Sequence, residues 1–227
     1  MSRADQFEDA IKDPSVLTIN WAGGNDAGHL KAYDKATKEK VPKLEPLSFV
    51  VLKERNCIDG FLAMKGCGAG SNEVANLATE PLTVNYWVDG KPQMLTSGLY
   101  KDIKGDMESK GLKYHKVIYG MVVDSPDIAT GVIVKFMFKG AGATAWFELS
   151  SQDKKGVVAL TGSEDGQTGA VRYKIPSFGP LPITEEADKL AEEAYEKVDA
   201  FLKSRATEAV VIADDTPDEV DEDSLPF

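Results

Sequence analysis

The sequence predicts a mainly β protein, an OB-fold-like Greek-key barrel with extra strands and two helices. Three observations predict this class: apolar and polar residues alternate through most of the chain, turn-forming residues separate the alternating segments, and one helical segment precedes two further strands. Several strands, then a helix, then two strands is the order that an OB-fold requires. Small β-barrels of other kinds would give a similar pattern.

Nine segments alternate with a period of two residues and are predicted to be strands: 16–21, 47–55, 58–65, 82–89, 93–97, 113–123, 131–139, 157–162 and 170–175. Asp89-Gly90 is typical of a tight hairpin. A short turn near Asn56 would place Lys53 and Arg55 on one strand and Lys65 on its neighbour. The glycine-rich segment 66–72 lacks the Gly-Lys-Ser/Thr ending of a phosphate-binding loop, so it is predicted to be a flexible turn.

Two helices are predicted, a short one near 99–110 and a C-terminal one near 185–205. Thr184 can cap the second helix, and its apolar stripe is formed by Ala187, Leu190, Ala194, Val198 and Phe201. This stripe would dock on the barrel or on a second subunit, which would make the protein a homodimer. The segment 141–151 could be a short helix or another strand.

The chain divides into one predicted domain, 1–205, and an acidic tail, 206–227, that is predicted to be disordered. No apolar run is long enough to span a membrane, and the N-terminus is unlike a secretory signal, so we expect a soluble cytoplasmic protein. Cys57 and Cys67 are then expected to be reduced thiols. Together with His29 and His115 they lack the spacing of a zinc site, and we expect no metal or cofactor.

Charge is distributed unevenly along the chain. The formal net charge is -11, but residues 1–183 contain 22 acidic and 22 basic residues, and the acidic excess lies in the last helix and the tail. The segment 31–55 contains seven basic residues and four acidic residues. Because salt screens the distant tail beyond roughly 8 Å, an acidic total does not exclude a locally basic nucleic-acid groove.

The tail ends in an acidic block followed by an apolar tip. From Glu208 to the end there are eight acidic residues and no Lys or Arg, and the chain closes with Asp221, Glu222, Asp223, Ser224, Leu225, Pro226 and Phe227. Self-repulsion keeps such a segment extended, while two apolar side chains and a terminal carboxylate remain for capture by another protein. A solubilising tail would explain the acidic residues but not the tip.

This ending resembles that of bacterial single-stranded DNA-binding proteins, which end in D-D-D-I-P-F where this chain ends in D-E-D-S-L-P-F. Body and tail together resemble a bacteriophage single-stranded DNA-binding protein. The resemblance implies sequence-independent coating of single strands in DNA replication, recombination and repair, in the cytoplasm of a bacterial host. It also implies that Asp221, Glu222, Asp223, Leu225, Pro226 and Phe227 recruit a polymerase, helicase or nuclease and compete with DNA.

Coating a single strand requires exposed rings for the bases and cations for the phosphates. Trp87 is the first candidate ring, because alternation turns it to the polar side of its strand; Phe61, Tyr33 and Tyr114 follow. The candidate cations are Lys53, Arg55, Lys65, Lys116, Lys135, Lys139, Arg172 and Lys174.

No catalytic motif is present: the chain has no Gly-x-Ser-x-Gly elbow, and neither histidine has an obvious nucleophile. We therefore expect a protein that is not an enzyme. Two other functions are compatible with the sequence. An acidic DNA mimic or adaptor would inhibit or recruit a nucleic-acid enzyme, and a virion structural β-domain would assemble without salt-sensitive DNA binding.

Overall fold

The computed structural model describes residues 11–24, 28–41, 44 and 46–214. Eleven strands form one mixed sheet within these residues, and three α-helices and a short 3₁₀ turn accompany them. The elements in chain order are β1 (Leu17–Ala22), β2 (His29–Asp34), β3 (Lys40–Val41), β4 (Ser48–Leu62), β5 (Cys67–Ser71), β6 (Leu82–Val88), β7 (Lys91–Gly98), α1 (Tyr100–Ser109), β8 (Leu112–Asp124), β9 (Ile133–Phe138), α2 (Ala141–Glu148), the 3₁₀ turn (Asp153–Lys155), β10 (Val157–Thr168), β11 (Val171–Leu181) and α3 (Glu185–Asp214).

The sheet curls into a barrel around β4. This strand pairs antiparallel with both β8 and β10, β8 pairs with β9, and β10 pairs with β11. β1 runs parallel to β9, and beyond its end Gly24 bridges to Tyr173 of β11 while the Lys174 amide donates to the Gly23 carbonyl at 2.7 Å. These contacts complete a ring of β4, β8, β9, β1, β11 and β10.

The predicted mainly β class with extra strands and two helices is confirmed. An OB-fold consists of three strands, a helix and two strands, and the barrel follows this order with β4, β8, β9, α2, β10 and β11. Its first strand, β4, pairs with both β8 and β10. The helix in that position is α2 rather than the predicted helix near 99–110. That helix, α1, belongs with β5, β6 and β7 to an insertion between the first two barrel strands.

Aromatic rings fill the barrel interior. Phe49 and Phe136 lie with ring centroids 4.2 Å apart, and Phe138 packs against both Trp146 and Phe178. Trp146, from α2, is fully buried, and its indole N–H donates to Glu54 Oε1 at 3.1 Å. Its polar atom is therefore satisfied while α2 closes one end of the barrel.

The C-terminal helix packs on the outside of the barrel. Ala191, Ala194, Val198 and Phe201 of α3 lie against an apolar patch of β4 and β8, and the Thr184 hydroxyl accepts a hydrogen bond from the Ala187 amide at 3.2 Å. The predicted docking and cap are confirmed. Two details differ: Leu190 is exposed and Ala191 is buried instead, and the helix runs to Asp214 rather than ending near 205.

A second, smaller core holds the insertion together. It is built from β4, β5, β6, α1 and the start of β8, and its fully buried members include Ile58, Leu62, Leu82, Val84 and Leu112. Because these side chains occupy one face of the inserted strands, the alternate residues, Phe61 and Trp87 among them, lie on the other face.

The predicted turn near Asn56 is wrong. Asn56 lies buried within the continuous strand β4, where its side-chain amide donates to the carbonyls of Val74 (3.2 Å) and Ala75 (3.0 Å). A polar residue that is typical of turns is satisfied here by a neighbouring segment. Lys53 and Arg55 therefore share one strand, and Lys65 lies in the turn after it.

Three strands were not predicted. The glycine-rich segment forms β5 instead of a flexible turn, because pairing with β4 and β6 supplies its backbone hydrogen bonds. β2 and β3 lie in a lysine-rich segment with little alternation. No helix among the described residues is both long enough and apolar enough to cross a membrane.

Trp146 and Phe147 are adjacent in α2 but opposite in environment, since Trp146 is fully buried and Phe147 is 56% exposed. We expect Trp146→Ala to lower the free energy of unfolding by roughly 3–5 kcal/mol, because it leaves a cavity at the centre of the aromatic core. Phe147→Ala should change it by only about 0.5 kcal/mol. Urea denaturation measures both, and equal losses would contradict the proposed role of Trp146.

Candidate nucleic-acid interface

Four of the predicted cations form ion pairs with carboxylates. Lys53 Nζ lies 2.9 Å from Asp199 of α3, Lys116 Nζ lies 2.7 Å from Glu54, and Lys174 Nζ lies 2.8 Å from Asp165. Lys135 pairs with Glu73, which also accepts a hydrogen bond from the Tyr119 hydroxyl. The carboxylate paired with each of these lysines must be displaced, or must share the lysine, before the ammonium group can bind a phosphate.

Four others have no ion pair within the described part of the chain: Arg55, Lys65, Lys139 and Arg172. The Arg55 guanidinium donates to the Glu54 carbonyl at 3.0 Å, and the Lys65 ammonium lies 5.8 Å from the centre of the Tyr86 ring. Arg172 and Lys139 are exposed. Of these, Lys139 lies beside a cluster of aromatic rings.

That cluster lines a cleft of about 530 Å³ between α1, the start of β8, the end of β9 and α2. Its lining includes the aromatic residues Tyr100, Tyr114 and Phe147 together with Lys113 and Lys139. We call it the aromatic cleft. Among the described residues, Glu108 is the single acidic residue of its lining.

The three rings form a continuous series. Tyr114 lies in the middle, with its ring centroid 5.6 Å from that of Tyr100 and 6.5 Å from that of Phe147, to which it is inclined by 20°. Lysine ammonium groups lie near both outer rings, Lys104 at 5.9 Å from Tyr100 and Lys116 at 5.9 Å from Phe147. Both of these lysines are ion-paired, Lys104 with Glu108 and Lys116 with Glu54. Lys113 and Lys139 are therefore the lysines of the lining that could contact a polyanion beside the rings.

Two of the three rings are held by contacts behind the cleft. The Tyr114 hydroxyl donates to Asn56 Oδ1 at 2.8 Å, and burial raises the pKa of this phenol, so it stays neutral. Phe147 is presented by α2, which Trp146 anchors in the barrel. Because the two hydrophobic cores fix the elements that carry Tyr114 and Phe147, the positions of these rings do not depend on a ligand.

His115 lies buried beside the cleft and adds no charge to it at neutral pH. Its Nδ1–H donates to the carbonyl of Lys113 at 3.0 Å, since a carbonyl can only accept. Burial above all, together with the nearby Lys139 and Lys113 ammonium groups, lowers its pKa from 6.5 to about 4. The positive charge of the cleft therefore comes from its lysines.

Comparison with family models, curated proteins and solved structures finds no match to this chain.

The other predicted rings lie outside the cleft. Trp87 is 50% exposed on β6 and Phe61 is 60% exposed on β4, both on the open face of the inserted sheet. Tyr33 is exposed on β2, which β1 and β9 separate from β8, and the Lys38 ammonium lies 6.0 Å from its ring. Of the four rings predicted from the sequence, the structure places only Tyr114 in the cleft.

Sequence reasoning missed Tyr100, Lys113 and Phe147. Phe147 lies in the segment for which helix and strand could not be distinguished; on a helix it would turn about 100° from the buried Trp146 and so face outwards. Lys113 alternates with Tyr114 along β8, but the closeness of Tyr100 depends on how α1 packs. The tail residues Asp221, Glu222, Asp223, Leu225, Pro226 and Phe227 lie outside the described residues.

Both cysteines are free thiols, Cys57 buried and Cys67 half-buried, as predicted. Burial raises the pKa of the Cys57 thiol, so it is a neutral core side chain at pH 7. Among the described residues no three His, Cys, Asp or Glu side chains are grouped to hold a metal ion.

The buried His115 should make folding stability depend on pH. The unfolded chain takes up its proton below pH 6.5, whereas the folded protein does so only near pH 4, so stability falls as the pH drops through this window. Between pH 7 and 5 the histidine should cost about 2 kcal/mol. Urea denaturation at pH 7 and pH 5 measures the loss of unfolding free energy between the two values. This loss should be about 2 kcal/mol smaller in His115→Gln than in the wild type, and equal losses would contradict the assignment.

Proposed function

We propose that the protein binds and coats single-stranded DNA without sequence preference, in DNA replication, recombination and repair. The observation that carries the proposal is the aromatic cleft, where three rings form a series beside Lys113 and Lys139, neither of which has an ion pair within the described residues. Bases would stack on Tyr100, Tyr114 and Phe147, and the lysines would replace counterions on the backbone. This function needs no chemical step by the protein.

The neutral charge of the barrel domain is compatible with this proposal. The acidic excess lies in α3 and the tail, and α3 covers the outer face of β4 and β8 where Lys53 is paired with Asp199. The cleft lies at the opposite end of β8, at Lys113 and Tyr114, and Glu108 is its one acidic neighbour. Single strands fit this site better than a duplex, because only unpaired bases expose both faces for stacking.

The direct test is fluorescence anisotropy with a labelled oligo-dT and a matching duplex, at low and physiological salt. We expect the single strand to bind more tightly, with an affinity that falls steeply as salt rises. Lys113→Ala and Lys139→Ala should each reduce the slope of log K against log salt by about 0.7, and Phe147→Ala should weaken binding about fivefold or more at unchanged stability.

Lys189→Ala provides the matched control, because it removes an exposed lysine of α3 away from the cleft. It should leave both the affinity and the slope near those of the wild type. If the full protein binds neither oligonucleotide, or if the cleft variants behave as Lys189→Ala does, the proposal is wrong.

We further propose that the acidic tail recruits replication or repair proteins and competes with DNA for the cleft. Ending the chain at Asp214 keeps all of α3 and removes six acidic residues with the Leu225-Pro226-Phe227 tip. The shortened protein should bind oligo-dT more tightly, most clearly at low salt where charges are least screened. Anisotropy titrations of both forms measure this, and equal affinity at low salt would contradict competition.

A further inference from the structure

The open face of the inserted sheet carries two exposed rings separated by a glycine. Phe61 on β4 pairs with Gly68 on β5. The next residue of β5, Ala69, pairs with Tyr86 on β6, so the antiparallel register places Gly68 opposite Trp87. Ala69 and Tyr86 contact the buried core of the insertion, so Gly68 and Trp87 lie on its other side. The two rings stand two strands apart, about 10 Å at the backbone.

The space between the rings is open. A Cβ placed on Gly68 would meet no atom within 4 Å, so this glycine is required neither by a close contact nor by a left-handed backbone. A pocket of about 350 Å³ begins on the Trp87 side of this space, lined by Trp87, Gly68, Gly70 and Asp59, and extends towards Glu73 and Lys135. Glycine weakens a strand interior, and its presence here leaves room for something flat above the backbone.

A carboxylate borders the same space. Asp59 lies two residues before Phe61 and pairs with Gly70, and a Cβ on Gly70 would lie 3.2 Å from Asp59 Oδ1, so the carboxylate leans over this second glycine. Asp59 forms no hydrogen bond or ion pair within the described residues. Its oxygens are therefore available as acceptors at the edge of the pocket.

The pocket and the aromatic cleft are separate cavities that lie on neighbouring strands. Asp59 pairs in register with Lys113 of β8, and Lys113 lines the cleft. A path from Trp87 past Phe61 and Lys113 to Lys139 crosses five strands, about 20 Å in a sheet. One flexible strand could follow it, with its phosphates near the lysines of the cleft.

We propose that Phe61 and Trp87 hold one unstacked nucleobase over Gly68 and Gly70, and that Asp59 accepts a hydrogen bond from the exocyclic amino group of that base. The inference rests on the proposed binding of single-stranded DNA and adds a base preference to it. Cytosine carries such an amino group, a hydrogen-bond donor that carboxylates accept. Thymine offers only a ring N–H between two carbonyls, which repel a carboxylate.

The test compares oligo-dC with oligo-dT of equal length, by competition anisotropy with the full-length protein. The wild type should prefer oligo-dC by about tenfold or more, the effect of one hydrogen bond to a charged group. Asp59→Asn should lower this preference towards one. Asp127→Asn, which removes an exposed acidic residue at the other end of β8, should leave the preference unchanged.

Gly68→Val tests the pocket itself. A Cβ at this position meets no protein atom within 4 Å and valine favours strands, so the thermal midpoint should equal or exceed that of the wild type. Binding of both oligonucleotides should nevertheless weaken about tenfold, because the base loses its stacking site.

Binding of both oligonucleotides with the same dC-to-dT ratio in the wild type and Asp59→Asn would overturn this inference and leave the proposed function standing. Wild-type affinity in a folded Gly68→Val would overturn it as well. Failure of the wild type to bind either oligonucleotide would overturn the proposed function, and the base pocket with it.

Discussion

The antiparallel pairing of β4 with β8 is the interaction on which the rest of the structure depends. Its register runs from Ser48 opposite Asp124 to Gly60 opposite Leu112, so one pair of strands serves both the barrel and the insertion. Its first half carries Phe49 into the aromatic core, and its second half carries Ile58 and Leu62 into the smaller core. A one-residue slip would exchange the faces of both halves, which explains why the two cores fix a single register.

This pairing was only partly predictable from the sequence. Alternation in 47–55 and 113–123 located both strands, and the amphipathic stripe located α3, because burial on one face determines both patterns. Asn56 obscured the continuity of β4, since its amide is satisfied by the backbone at Val74 and Ala75, far away in sequence. The place of α2 in the barrel could not be predicted either, because an eight-residue segment of small and aromatic residues has no distinguishing period.

The candidate site shows why charged residues are harder to assign than rings. Trp87, which strand alternation alone turned to the polar side of its strand, is exposed in the structure. Lys53, Lys116, Lys135 and Lys174 share the same sequence features as Lys139, but each has a carboxylate partner. The partners of Lys53, Lys116 and Lys135 lie more than 60 residues away in sequence, and that of Lys174 lies on the paired strand of its own hairpin. Whether a lysine is available to a phosphate thus depends on tertiary contacts, while the outward direction of a ring depends on local periodicity. The cleft combines Tyr114, which the sequence indicated, with Tyr100 and Phe147, which only packing brings beside it.

The most direct test of the central claim is ultraviolet cross-linking of the full protein to oligo-dT, followed by mass spectrometry of the cross-linked peptides. If single-stranded DNA lies in the aromatic cleft, the cross-links will fall on Tyr100, Tyr114 and Phe147, with fewer on Phe61 and Trp87. Cross-links confined to α3 or to the Tyr33 region, or their absence under conditions where a control DNA-binding protein is labelled, would contradict the account.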